Sequence, residues 1–184
     1  SYFFYHLALS NNLIPSNLQN PCLIPKATKN QTEVEGSRKA HIRDGVSITK
    51  FLYWLKNHNS VEEENEISVA NKLLSFRKSN ELFHSVSFDS ISAIGKNAAL
   101  PHYRADKNNP VSLNNNSIYL SDSGGQYYDG TTDITRTIIL GIPNKEQIDR
   151  FTRVLKGHIK LSSHIFNKGT KGTDIDYLAR ESLQ

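Results

Sequence analysis

The sequence predicts an α+β domain, an antiparallel sheet with flanking helices. Three observations carry this. Residues 32–58 and the run after Asn144 repeat apolar side chains at a helical period. Residues 86–103 hold two short β-prone runs about a Gly95-Lys-Asn97 turn. Residues 118–140 hold a longer pair. There, 118–122 alternates apolar and polar side chains, 134–140 is rich in Ile, Thr and Leu, and Ser123-Gly124-Gly125 and Asp129-Gly130 supply turns between them. The pair is read as antiparallel strands with an irregular connection.

Each element has its own signal. Residues 1–21 read as a short helix or strand and a polar loop, and Asn20-Pro21 and Pro25 mark a linker before a domain that starts near Ala27. Thr32-Glu-Val-Glu35 is a capping box for helix 32–58, whose inward face is expected to carry Ile42, Val46, Thr49 and Leu52 or Tyr53, widened by Phe51, Trp54 and Leu55. Ser60-Val-Glu-Glu63 is a second box, for a helix turning Ile67, Ala70, Leu73, Leu74 and Phe76 inward. Its acidic first turn and its Arg77-Lys78 last turn suit the helix dipole without further partners. Strands are expected at 86–94 and 98–103, then a polar loop at 105–116. Asn144-Lys-Glu-Gln147 caps a helix with Ile148, Phe151, Leu155, His158 or Ile159, and Ser162 on one face. Gly169-Thr-Lys-Gly172 breaks the chain, and Thr173 caps a last helix carrying Ile175, Leu178 and Ala179.

The 184 residues suit one ordinary domain or part of a larger one. The 37% hydrophobic share is below that of a compact domain, which suits a piece whose core another segment completes. The formal charge of +4 comes from scattered Lys and Arg interrupted by runs such as Glu62-Glu63-Glu64, a pattern that argues against nucleic-acid binding. Cys22 is the only cysteine; it rules out an intrachain disulfide, suits a reducing compartment and sits in no nucleophile motif. Residues 1–10 lack the basic start and cleavage-type end of a signal peptide, and no run approaches the roughly 18 apolar residues of a membrane span. The chain starts without Met and stops within a helical pattern, so both ends read as cut.

The candidate chemistry lies in 118–140. Antiparallel pairing would bring Asp122 and Asp133 opposite each other on strands about 4.8 Å apart. Two carboxylates on one buried face repel, unless a hard or borderline cation lies between them. The same aspartates also suit plain turn capping beside Gly-Gly and Thr-Thr. His102 ends the 98–103 run and by itself reads as structural. So do His41, among charged residues, and His158 and His164, which share no helix face at ligand spacing.

Asp122-Ser-Gly-Gly-Gln-Tyr-Tyr-Asp-Gly-Thr-Thr-Asp133-Ile-Thr-Arg-Thr resembles the metal-binding hairpin of Xaa-Pro aminopeptidases (aminopeptidase P), dinuclear metallopeptidases of the pita-bread fold. Ser85 to Tyr103 resembles the strand pair before it. Phe151-Thr-Arg-Val-Leu-Lys-Gly-His-Ile159 and Gly169-Thr-Lys-Gly172 resemble the helix and loop after it. Pro25-Lys-Ala-Thr-Lys-Asn30 and Arg38-Lys-Ala-His-Ile-Arg-Asp-Gly45 resemble the start of the catalytic domain. The likeness runs in one register from about Asn20 onward.

The resemblance implies that residues 27–184 are the N-terminal half of a pita-bread catalytic domain and residues 1–26 the tail of a preceding domain with its linker. It implies two divalent metal ions, Mn2+ foremost with Zn2+ or Co2+ as alternatives, holding a hydroxide between them. Asp122 would ligate one ion, Asp133 would bridge both, and His102 would face the reacting amide and stabilise the developing tetrahedral centre. The substrate would be a peptide with proline in second position, the complete protein a cytoplasmic homodimer, with no nucleic-acid or membrane partner. The family's remaining ligands, one His and two Glu, come from the second half, so residues 1–184 alone are expected to be inactive. Alternatives are a non-catalytic pita-bread module that binds peptide or protein, a prolidase, and a methionine aminopeptidase. Tyr128-Asp-Gly-Thr-Thr-Asp133-Ile-Thr-Arg-Thr and Leu155-Lys-Gly-His-Ile159 favour aminopeptidase P, and the intact aspartates argue against a module.

Overall fold

A computed structural model describes residues 2–15 and 19–183; residues 16–18 of the expected polar loop, with Ser1 and Gln184, lie outside the described residues. Helices α1 (Tyr2–Ser10) and α2 (Leu23–Ala27) lead into the long α3 (Gln31–Lys56), and α4 (Glu66–Lys78) follows a 3-10 turn at Val61–Glu63. Strands β1 (Phe83–Val86), β2 (Ile91–Ile94), β3 (Ser117–Ser123), β4 (Gly125–Tyr127), β5 (Gly130–Thr131) and β6 (Ile134–Leu140) come next, then α5 (Lys145–Ser162) and α6 (Gly172–Arg180).

The strands form two antiparallel sheets of three, ordered β2-β3-β6 and β1-β4-β5. The ribbon of 118–140 therefore starts in one sheet, breaks at Gly124, makes a tight hairpin in the other, and returns as β6. The expected strand at 86–94 divides for the same reason: it crosses between sheets, and the Ser87 N–H donates to the Gly124 carbonyl (3.1 Å) at the crossing. Residues 98–103 form no strand. Gly95–Ala99 is a 3-10 turn entered by Gly95 at φ +57°. Buried Glu66, at the start of α4, accepts from the Ile94 N–H (2.8 Å), the Asn97 amide (3.1 Å) and the Tyr103 hydroxyl (2.8 Å), which winds this segment around a carboxylate.

Two expected caps move. Asn30 caps α3, accepting from the Glu33 N–H (2.9 Å) while the Glu33 carboxylate returns to the Asn30 N–H (2.8 Å). Asn65 caps α4 with Ser68 reciprocating, and Ser60 heads only the 3-10 turn. In both places an asparagine in extended conformation outcompetes the Thr or Ser box nearby. Lys171, not Thr173, precedes α6, its N–H bound to the Asp174 carboxylate (2.9 Å). Asn144 and Gln147 cap α5 as the sequence predicts.

The buried stripe of α3 is Gly36, Ala40, Asp44, Ser47, Ile48, Phe51 and Leu55, whereas Ile42, Val46 and Tyr53 are exposed. Phe51 and Leu55 of the expected face are inside, but the first half of the helix turns its small residues Gly36 and Ala40, not Ile42 and Val46, to the β4–β5 hairpin, which needs close backbone approach. On α4 the buried residues are Glu66, Val69, Leu73 and Arg77, so only Leu73 of the expected face is fully inside. Ile48, Phe51, Leu55, Val69 and Leu73 from the helices meet Ile94, Tyr119 and Leu140 from the β2-β3-β6 sheet. Each such side chain contributes about 1.5–3 kcal/mol by burial. Tyr119 packs on Phe51 (ring centroids 6.4 Å), so the pleat turns Leu120 and Asp122 to the opposite face of β3, away from the helices.

Candidate functional site

The β3–β6 ladder pairs Asp122 with Thr135 and Ser123 with Ile134, and Asp133 lies one residue before β6. The aspartates are therefore not directly opposite. Asp133 is two residues before Asp122's partner, just outside the ladder, where continuation of the strand period would put it on the same face, on a diagonal of about 7–8 Å along the backbone. Asp122 is half-buried, and its Oδ1 is buried with no hydrogen-bond partner among the described residues; Asp133 is exposed. A turn-capping role for Asp122 would give that oxygen an N–H. Left alone, an unpaired buried acceptor costs about 1–3 kcal/mol. A cation removes that cost, and hard oxygen donors suit a divalent ion. The residues present thus fit a metal. Among the described residues no group of three or more His, Cys, Asp or Glu side chains is arranged to hold one.

Several residues to which the sequence reading assigned no part in the site hold the hairpin between the aspartates. Tyr127 of β4 donates its hydroxyl to Asp44 Oδ1 (2.8 Å), and Arg77 grips the same carboxylate with Nε (2.7 Å) and Nη2 (3.0 Å). Burial by itself would push the Asp44 carboxyl up. The Arg77 hydrogen bonds and charge, with the Tyr127 and Thr132 hydroxyls, outweigh burial and hold it below the usual carboxylate range. Burial and the Asp44 hydrogen bond push the Tyr127 phenol well above its ordinary value. At the hairpin turn, Arg43 Nη1 and Nη2 each sit 2.9 Å from an Asp129 oxygen, and that pairing lowers the Asp129 carboxyl and raises the guanidinium. The sequence signal for Asp44 and Arg77 was present in retrospect: each lies at helical spacing from small or apolar residues that proved buried.

His102 is exposed on a turn, in the left-handed region at φ +56°, rather than on the expected strand. Its neighbour Tyr103 anchors that turn through Glu66, and burial, followed by the Glu66 hydrogen bond, pushes the phenol up to about 12. His41 is exposed with its ring on the Ser37 carbonyl (2.8 Å), and His158 and His164 are exposed.

Set beside known proteins, residues 35–184 match metallopeptidase family M24. A curated probable Xaa-Pro aminopeptidase P of Coccidioides posadasii is 42% identical over 180 residues, 97% of this chain and 30% of the relative. The crystal structure of an X-prolyl aminopeptidase from Caenorhabditis elegans, described as a cytosolic enzyme with a di-nuclear active site, superposes with TM-score 0.80 at 39% identity, over 90% of this chain and 27% of its own. A prolidase from Pyrococcus furiosus shares the fold, with TM-score 0.75 at 24% identity over all of this chain and 52% of its own. The chain thus spans about 30% of the length of the curated relative and supplies part of the pita-bread fold. A family match over residues 35–184 and an architecture shared with these enzymes lead to one conclusion: this chain belongs to metallopeptidase family M24.

Proposed function

We propose that the complete gene product carrying this sequence is a metal-dependent exopeptidase that releases the N-terminal residue from peptides with proline in second position. In this reading residues 27–184 form the first half of its catalytic domain and residues 1–26 the end of a preceding domain. The observation that carries it is the buried, unpartnered Asp122 Oδ1 on β3, with Asp133 one residue before β6, the strand that pairs with it. The name of the Coccidioides posadasii relative and the di-nuclear description of the Caenorhabditis elegans enzyme support it. The cytosolic description of the latter supports a cytoplasmic location, and the homodimer rests on the family resemblance.

Asp122 would hold one ion and Asp133 both, with Mn2+ foremost and Zn2+ or Co2+ as alternatives. Such a pair, when bound, lowers the pKa of a shared water and polarises the scissile carbonyl. The chain's own residues do the rest. The sheet face orients the two carboxylates, and His102 offers an imidazole to the oxygen that gains charge as the amide is attacked. Glu66, through Tyr103, holds the turn on which His102 sits.

The test uses the complete gene product with Mn2+ and Xaa-Pro peptides. Asp122→Asn and Asp133→Asn should abolish tight metal binding in a titration and with it turnover. His102→Ala should lower kcat by about 10²-fold or more while metal content stays intact. Metal lost on His102→Ala and regained with imidazole would make His102 a ligand. Residues 1–184 alone, with two of the five family ligands, should show no turnover; family-like turnover by them would remove the half-domain reading.

A further inference from the structure

Thr132 is held at every polar atom it has. Its N–H donates to the Gly125 carbonyl (2.9 Å), its carbonyl accepts from Ser87 Oγ (2.8 Å), and its Oγ1 accepts from the Gly125 N–H (2.9 Å). It is 2% exposed. The same hydroxyl lies 3.4 Å from the Gly125 carbonyl, which accepts its proton while its lone pair takes the Gly125 N–H, and it also helps to hold the Asp44 carboxyl below its ordinary value. Gly124 completes the node: a Cβ there would lie 2.0 Å from the Thr132 carbonyl oxygen and 2.2 Å from Ser87 Oγ, so only glycine admits the contact. The Ser87 N–H in turn binds the Gly124 carbonyl.

The node's position in the chain gives it meaning. Thr132 immediately precedes Asp133, and Gly124 and Gly125 follow Asp122 by two and three residues. Ser87 comes from the crossing between β1 and β2. Three segments are thus fastened at the one point from which both aspartates depart. Among the described residues neither aspartate's side chain has a hydrogen-bond partner to fix it, so their spacing is set by the backbone that carries them. A metal ligand's affinity depends on such outer contacts, whose loss typically costs 10–100-fold.

We infer that Thr132, assisted by Ser87, is the positioning residue of the metal centre: its hydroxyl and main chain fix Asp133 relative to Asp122. This rests on the metal-centre reading above. The side chain does not touch substrate or ion; it acts through the neighbouring carboxylate.

The test compares Thr132→Val, which keeps the shape and loses the hydroxyl, with Thr132→Ser, which keeps the hydroxyl, in the complete gene product. Mn2+ affinity is measured by calorimetric titration, and the metal-free proteins are melted alongside. Thr132→Val should bind Mn2+ about 10–100-fold more weakly, and Thr132→Ser should restore affinity to within about threefold of the parent. Ser87→Ala, which leaves Thr132 in place, should weaken Mn2+ by about tenfold and carries the test if Thr132→Val does not fold. Parental affinity in folded Thr132→Val or Ser87→Ala overturns the inference. So does a loss in Thr132→Ser as large as in Thr132→Val, because packing of the methyl group would then be the cause. Asp133→Asn separates the two levels. If it too binds Mn2+ normally, the metal assignment falls and the positioning role with it; if it alone loses Mn2+, only the positioning role falls.

Discussion

The Asp44–Arg77 pair is the residue-scale feature on which the hairpin most depends. Both side chains are almost wholly buried, at 2% and 1% exposure, and the guanidinium meets the carboxylate through two hydrogen bonds. Such a pair gains little over an apolar one of the same shape, but removing one member strands the other charge. Asp44→Ala should therefore destabilise the fold by about 3–5 kcal/mol in chemical denaturation, with Tyr127 also losing its acceptor. The pH dependence has a definite sign. Because the folded carboxyl is held below its ordinary value, its contribution is complete above about pH 4 and fades as the pH falls through the folded pKa. The melting-temperature gap between the parent and Asp44→Asn should narrow from pH 7 to pH 3. A gap of constant size would show that the ionised form is not what stabilises.

At the scale of elements, the decisive contact is α3 against the β4–β5 hairpin. A Cβ at Gly36 would lie 2.1 Å from the Asp129 carbonyl oxygen, and one at Gly130 would lie 2.9 Å from the Ala40 Cβ. The two backbones touch because neither glycine has a side chain there, and the paired Arg43 and Asp129 close the edge of the seam. Gly36→Ala should push the hairpin off the helix and lose about 1–3 kcal/mol in urea unfolding. Gly45→Ala, on the same helix with nothing within 4 Å of its Cβ, should gain about 0.5–1 kcal/mol. Equal effects at both positions would refute the seam, since helix propensity alone treats them alike.

For the molecule as a whole, the open surface of α5 stands out. Ile148, Phe151, Val154, Leu155 and Ile159 form its apolar stripe and are each 43–59% exposed. Its partner is α6, reached through Gly157, where a Cβ would lie 2.2 Å from the Ala179 carbonyl oxygen. Toward α3 and β6 it leaves a cavity of about 700 Å³ lined by Leu52, Leu55, Ile138, Ile148 and Phe151. Apolar surface this continuous binds a hydrophobic dye or another copy. Residues 1–184 alone should bind anilinonaphthalene sulfonate strongly and self-associate in sedimentation, and Phe151→Ser with Ile159→Ser should reduce both. A monomer with no dye binding would mean the stripe is covered in solution. No helix among the described residues is long and apolar enough to cross a membrane.

By itself the sequence determined what short-range chemistry determines: the Asn144–Gln147 cap of α5, the run Ile134–Leu140 as a strand, the break at the double glycine, and the aspartates on either side of it. Each rests on alternation, or on a hydrogen bond spanning three residues. Where several local signals were nested, as with Asn30 beside Thr32 or Asn65 beside Ser60, the choice fell to where the chain turned. Only the tertiary structure decided that α3 buries its small stripe, that residues 86–94 serve two sheets, and that His102 sits on a left-handed turn. It also decided that Arg77, readable as a dipole-matching last-turn charge, is buried against Asp44, 33 residues away, and that Tyr127 reaches the same carboxylate across 83. The physical reason is that a buried charge or a glycine seam is favourable only when its distant partner is in place, and nothing in the neighbouring residues records that partner.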